Sequence, residues 1–217
     1  MSLYTPAHFA PRDAAAVTRL LADHPFATLV TPGSPEPFVS HLPLLLIEGD
    51  APHGVLIGHF ARANPHWRQA QGVESIAIFH GPHAYVSPSW YAQPQRMVPT
   101  WNYAAAHAHG TLEISEDPAA TRGVLDALIA RFEGGRANPW QFRMPDRDRD
   151  AMVAAIVAFR MPITRLTGKF KLSQNRSAED RERVAAALKD EGYGEATATA
   201  EWMERYAMAG DGADETR

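Results

Sequence analysis

Residues 79–110, FHGPHAYVSPSWYAQPQRMVPTWNYAAAHAHG, concentrate six aromatics and four of the ten histidines of this sequence. The run holds Phe79, Tyr85, Trp90, Tyr91, Trp101 and Tyr103, together with His80, His83, His107 and His109. The hydroxyls of Ser87, Ser89 and Thr100 and several prolines lie between them. Flat apolar faces beside fixed hydrogen-bonding groups suit a planar ligand with polar edges. An aromatic-rich strand pair packing a core explains any one ring taken alone. The mixture as a whole points to a ligand site.

Other chemistries find less support. His107 and His109 alternate on one strand face, with His80 and His83 near in sequence, but no HExxH motif occurs and no carboxylate accompanies them. Packing or hydrogen bonding suits them better than metal ligation, and no metal is expected. GxSxG is absent, and Ser87 and Ser89 lack the glycine flanks of a nucleophile elbow. There is neither a P-loop nor a GxGxxG after a first strand. Phosphate can still be met by scattered cations and hydroxyls. Arg62 precedes a short helix opened by Asn64 and Pro65, whose first N–H groups would be free. In GKFKLSQNR, Lys169 and Lys171 share a strand face and lead into Ser173, Gln174, Asn175 and Arg176. A solvated strand face accounts for the lysines by themselves; the Ser–Gln–Asn run favours Lys171. No general acid or base stands out, although His41 and His59 sit on strands that could border a cleft.

These side chains must be positioned by short strands. FATLVT (26–31), FVSHLPLLLI (38–47), VLIGHFA (55–61), ESIAIFHG (74–81), AYVSPSWY (84–91) and TWNYAAAHAHGTLEIS (100–115) read as strands separated by Pro, Gly and Ser turns. In the last of them Trp101, Tyr103, Ala105, His107 and His109 fall on one face. Residues 161–174 read as a final strand, or a pair broken near Gly168. Asp13 caps a helix carrying Val17, Leu20 and Leu21, and DPAATRGVLDALIARFEGG is a helix closed by glycines. Residues 136–150 read as an exposed loop, and 151–159 as a helical turn running into a strand. Ser177 and Asp180 have capping-box spacing before a helix over 178–190. The expected class is α+β: an antiparallel barrel or sandwich with peripheral and C-terminal helices. One domain over 1–190 and a helical tail over 191–217, frayed at its end, are the expected organisation.

Composition narrows the classes. The 217 residues are 45% hydrophobic and 21% charged, ordinary for a globular chain. Net charge is −4, so no general basic field favours nucleic acid. The helix after Ser177 mixes Arg181, Arg183 and Lys189 with Glu179, Asp180, Glu182 and Asp190, a solvated pattern rather than a DNA-reading one. With no cysteine, disulfides, thiolate catalysis and cysteine-ligated metals are excluded. No secretory signal or membrane-length apolar run is visible, so a cytoplasmic location is expected.

Blocks MSLYTPAHF, SHLPLLL, GHFARANPHW, FHGPHAYVSPSWY, VPTWNYAAAHAHG and GKFKLSQNR occur in order from the N-terminus to residue 176. Together they resemble the PaiB-like family, described as FMN-binding negative transcriptional regulators. The resemblance implies an antiparallel split β-barrel of the pyridoxamine-phosphate-oxidase type. It also implies a homodimer that holds FMN in clefts where subunits meet. Carried onto this sequence, it places the flavin against His59, Arg62 and Asn64 of GHFARANPHW. From the central blocks it adds Ser87, Ser89, Trp90, Tyr91, Thr100, Trp101 and Asn102, and from the last block Lys171 and Gln174. Arg62 is the expected phosphate partner; Asn102, Thr100 or Gln174 would bond the ring edge, and Trp90, Tyr91 or Trp101 would cover its face. The family name brings a transcriptional regulator, and the cofactor brings a flavin-dependent oxidoreductase or redox-responsive module. Direct repression by DNA binding, or a barrel holding another planar ligand such as haem, are the alternatives.

Overall fold

Antiparallel pairing dominates the computed structural model, which describes residues 3–141 and 143–208. Helix α1 (Ala14–Asp23) is followed by strands β1 (Phe26–Thr31), β2 (Phe38–Pro43), β3 (Leu45–Ile47) and β4 (Val55–Ala61). Helix α2 (His66–Ala70) precedes β5 (Glu74–Val86), β6 (Thr100–Thr111) and β7 (Glu113–Ser115). Helices α3 (Pro118–Glu133) and α4 (Asp146–Ala154) come before β8 (Ile156–Pro162) and β9 (Arg165–Lys171). Helices α5 (Ala178–Asp190) and α6 (Gly194–Met203) follow, the latter running into a π-helical segment, Glu204–Met208. The strands form a five-stranded sheet ordered β2-β1-β5-β6-β9 and a four-stranded sheet ordered β3-β4-β8-β7. Among the described residues no helix is long and apolar enough to cross a membrane.

The chain divides into two units. Unit 1 takes residues 1–23, 80–106 and 167–217; unit 2 takes 24–79 and 107–166. In unit 1, Leu20, Leu21, Val86, Phe170, Leu172, Val184 and Leu188 are buried. Helix α6 adds Ala196, Ala200 and Met203 to the buried set and packs on α5. Trp202, Tyr206 and Phe170 meet with ring centroids 4.9–5.2 Å apart. In unit 2, Leu29, Leu56, Phe60, Phe79, Val157, Phe159 and Met161 are buried, and Val124 and Leu128 of α3 pack with Leu45 and Ala158.

Helix starts follow the capping chemistry. Asp13 Oδ1 accepts the Ala16 N–H at 2.6 Å, Asp117 Oδ1 that of Ala119 at 3.0 Å, and Ser177 Oγ that of Asp180 at 3.2 Å. Strand boundaries depart from the sequence pattern where tertiary partners intervene. The run 38–47 breaks at Leu44, because Pro43 has no N–H and the Leu44 N–H turns to the Pro25 carbonyl (2.8 Å). The break sends β2 and β3 to different sheets. Residues 74–86 are one strand, not two, and SPSWY leaves it as a 3₁₀ turn in which Ser87 Oγ accepts the Ser89 N–H. The long run 100–115 breaks at Leu112, whose backbone bonds Gly72 and Val73. The break before β9 falls at Ile163–Thr164, where Ile163 bonds Gly54 and Thr164 bonds His109. Gly168 lies inside β9 instead, where a Cβ would come within 2.8 Å of Pro11 and Val17. Helix α4 starts within the expected loop, with Asp146 and Asp148 in its first turn, where the helix dipole favours acids. Fraying beyond Met208 lies outside the described residues.

Candidate functional site

In unit 1, β9 alternates Thr167, Lys169 and Lys171 on one face with Phe170 on the other. Lys171 Nζ donates to Thr100 Oγ1 at 2.7 Å and to the Trp101 carbonyl at 2.5 Å, leaving its third N–H. It also lies 5.9 Å from the Phe9 ring centre. Lys169 Nζ lies between the rings of Tyr4 (5.3 Å) and Tyr103 (5.5 Å). Burial pushes the Lys171 ammonium below its ordinary pKa, and the charges of Lys169 and Arg176 push it further the same way. None of these three cations has a carboxylate partner among the described residues. Thr167 Oγ1, on the same face, is buried without a hydrogen-bond partner. A row of cations without counter-charge, beside an unsatisfied hydroxyl, is a place for an anion.

Tyr103 also borders an open cavity of about 340 Å³ lined by His80, Gly81, His83, Trp101, Ala104 and Ala105. Trp101 is 52% exposed, and its ring lies 6.2 Å from those of both His83 and Tyr85. His83 is steadied by Glu195, whose carboxylate is 3.7 Å from Nδ1 and accepts the His83 N–H at 3.4 Å.

The other expected residues of unit 1 have different surroundings. Asn102 is fully buried; its Nδ2 donates to Ser173 Oγ and to Met203 Sδ, and its Oδ1 accepts from the Ser173 hydroxyl. Its amide is therefore spent inside unit 1 rather than presented to a ring edge. Ser173 pays for this position with a φ of 68°, the left-handed region. Gln174 donates to the Phe170 carbonyl and accepts the Leu172 N–H, so it holds the turn after β9. Tyr91 is 1% exposed, with Arg176 5.5 Å above its ring and its hydroxyl unpartnered. Trp90 is half-buried, its carbonyl accepting from Arg183 Nε. Ser87 and Ser89 pair with each other at 2.8 Å.

In unit 2, each of the three nitrogens of Arg62 has a partner. Nε donates to the Ala154 carbonyl at 2.6 Å, Nη2 to the Ile156 carbonyl at 3.2 Å, and Nη1 to Glu116 at 2.8 Å. The cavity of about 510 Å³ beside it carries a second ion pair, Arg122–Asp150, so its charges already balance. Asn64 Oδ1 accepts the His66 N–H, and α2 has only five residues. The His66 N–H and the Arg62 guanidinium are thus both committed to the fold. His59 is partly buried, its Nδ1 has no partner, and burial lowers its pKa. His109 is buried, and burial, then Arg165, lower its pKa. Among the described residues no cluster of His, Asp and Glu could hold a metal ion.

His66 lies in a chain of hydrogen bonds whose direction is fixed at the Ser75 end. Asn64 Nδ2 donates to Ser40 Oγ (3.0 Å), and Ser75 Oγ donates to the Val73 carbonyl (3.2 Å). Ser40 Oγ is 2.8 Å from His66 Nδ1, His66 Nε2 is 2.8 Å from Thr31 Oγ1, and Thr31 is 2.7 Å from Ser75. Because Ser75 spends its hydrogen on Val73, Thr31 must donate to Ser75 and Nε2–H must donate to Thr31. His66 therefore carries a proton on Nε2, and burial lowers its pKa, which favours the neutral ring with Ser40 donating to Nδ1. Sequence reading singled out neither His66 nor Thr167. The i, i+2 recurrence of Thr167 with the lysines was the available signal for the second.

Comparison with known proteins decides the family. The model of the "Putative FMN-binding domain" matches residues 3–165. Protease synthase and sporulation protein PAI 2 of Bacillus subtilis is 33% identical over 205 residues, covering 93% of this chain and 97% of that protein. The chain belongs to the PaiB-like, FMN-binding family. An uncharacterized protein of Emericella nidulans is 30% identical, covering 88% of this chain and 92% of its own. Among solved structures, the FAD and heme binding protein of Mycobacterium smegmatis superposes with a TM-score of 0.59 at 22% identity, covering 82% of this chain and 80% of that one. The flavocytochrome Anf3 of Azotobacter vinelandii gives 0.57 at 15%, covering 80% and 75%. The fold class is accordingly α+β of the split-barrel type, and membership supports FMN as the cofactor. The residues fit such a group. A phosphate requires uncompensated cations and a ring requires apolar cover, and unit 1 supplies both around Tyr103.

Proposed function

We propose that this PaiB-type protein is a homodimer that holds FMN on unit 1. In this reading Lys169, Lys171 and Arg176 meet the phosphate, and Trp101, Tyr103 and His83 flank the isoalloxazine. Thr100 orients Lys171 rather than touching the ring. Asn102, Ser173 and Gln174 shape the wall from behind. The observation that carries the assignment is the row of cations without carboxylates on β9, beside the unsatisfied Thr167 hydroxyl. When bound, FMN supplies the redox chemistry; the side chains position it and tune its surroundings. The protein's activity is that of a flavin-dependent redox module, and any regulatory role runs through the flavin.

Direct reading of DNA by α5 has little to work with. Arg181 is buried and donates to the Arg176 carbonyl, Arg183 donates to the Trp90 carbonyl, and Lys189 is bonded to Glu204. These contacts support an indirect role, because a DNA-reading helix must offer its cations to phosphates.

Comparing FMN with riboflavin isolates the phosphate. Lys169→Met with Lys171→Met should weaken FMN roughly ten- to a hundredfold, the worth of a charged hydrogen bond, and leave riboflavin nearly unchanged. Equal losses for both ligands, or none for FMN, would place the phosphate elsewhere. Absorbance of the purified protein titrated with FMN gives the affinities.

A further inference from the structure

We propose that unit 1 has a second binding site, for a small aromatic carboxylate, on the face of β9 opposite the lysines. The cavity there is about 470 Å³ and lies between the N-terminal segment and the π-helical turn. Its apolar walls are Pro11, Ala16 and Phe170. Tyr206 also lines it and is held edge-on against Phe170 and tilted on Trp202, so a flat, rigid aromatic surface is already in place. Phe170 alternates with Lys169 and Lys171 along the strand, which separates this cavity from the phosphate face.

The charged lining is two arginines and one acid. Arg205 is exposed, lies 5.9 Å from the Tyr206 ring, and has no carboxylate partner among the described residues. Arg12 lines the same cavity. The only acid among the described lining residues is Asp13, and one of its oxygens is taken by the Ala16 N–H. The Gln174 amide is spent on backbone at both ends, so it offers surface rather than a hydrogen bond. A ligand recognised here needs a planar apolar body and one anionic group. The planar fork of a guanidinium matches a carboxylate, and the π-helical turn is a local irregularity of the kind that often re-aims a side chain at a site.

Calorimetric titration of the FMN-loaded protein with benzoate tests this, with benzyl alcohol as the uncharged control. Benzoate should bind saturably and benzyl alcohol at least roughly tenfold more weakly, as expected for loss of a charge-assisted contact. Arg205→Ala should weaken benzoate by a similar factor, and Arg205→Lys should recover part of it. Arg205 is exposed, so both variants should keep the parent circular dichroism and the parent FMN affinity. No saturable heat with benzoate, equal binding of the alcohol, or an Arg205→Ala variant that binds like the parent overturns the proposal. Displacement of benzoate by added FMN also overturns it, by giving the cavity to the flavin; that result leaves the loss from lysine replacement as a separate test of the phosphate site.

Discussion

At the scale of single residues, the decisive contrast is between Arg62 and Lys171. Both were expected near phosphate, but Arg62 is tied to the Ala154 and Ile156 carbonyls and its charge is met by Glu116, whereas Lys171 lacks a counter-charge. Arg62→Ala should therefore cost stability, because two backbone carbonyls lose their donor, while FMN affinity stays within about twofold. A thermal melt and a flavin titration of the same variant check both parts. Lys171 also predicts a pH dependence. Its pKa is lowered in the free protein by burial, Lys169 and Arg176, and a bound phosphate dianion favours the protonated form. Binding then takes up a proton once the pH approaches the lowered pKa, and affinity falls as the pH rises through it. The fall should begin at lower pH than an ordinary lysine allows and should disappear in Lys171→Met. Affinities measured from neutral to alkaline pH would show whether it does.

At the scale of elements, buried polar contacts tie strands together and set where stability is sensitive. Asn102 on β6 bonds Ser173 just past β9 and Met203 on α6. Asn102→Ala strands the Ser173 hydroxyl and should cost about 1–3 kcal/mol, read from chemical denaturation. In unit 2, the chain through His66 joins β1, β2, α2 and β5. Burial holds its pKa below the ordinary 6.5, so the unfolded chain binds a proton more tightly than the folded one. Stability from neutral His66 is complete above about 6.5 and declines as the pH falls from there toward the folded pKa. A protonated Nδ1 would face a Ser40 oxygen that must give up its own bond to accept it. His66→Gln should lower stability at neutral pH yet flatten its decline on acidification, measured by melts across that range. The elements themselves were largely legible: caps at Asp13 and Ser177 depend on neighbours a few residues away, and so do the alternating strands. The breaks at Leu44, Leu112 and Ile163 were not, because each is made by a backbone partner distant in sequence. The burial of Asn102 was hidden for the same reason. An asparagine beside two exposed-type aromatics reads as a ligand contact until Ser173 and Met203 are brought to it.

At the scale of the whole molecule, partnership turns on an apolar patch of the sheet in unit 2. Register places Phe26 opposite Pro43, Thr28 opposite His41 and Val30 opposite Val39, with Ile76 and Ile78 next across β5. Alternation puts all eight on one side of the sheet. Phe26 is 66% exposed and Val39 52%, and His41 is exposed, stacked on Phe26 and bonded to Thr28. None of these eight is Lys, Arg, Asp or Glu; Glu74, next in the β5 alternation, marks the edge of the patch. A patch of that kind on a monomer is costly to hydrate, whereas a two-fold pairing would bury it without leaving a charge unpaired. It is the surface on which the proposed homodimer most economically forms. Val39→Asp would set an acid against the same position or a near neighbour across the symmetry axis, in surroundings that offer it no cation. Light scattering should then report a monomer for Val39→Asp and a dimer for the parent and for Val39→Thr, which keeps shape without charge. A dimer that survives Val39→Asp unchanged would move the interface off β1, β2 and β5. A parent protein that is monomeric at all concentrations would remove the homodimer from the proposal, with flavin binding still decided by the lysine variants.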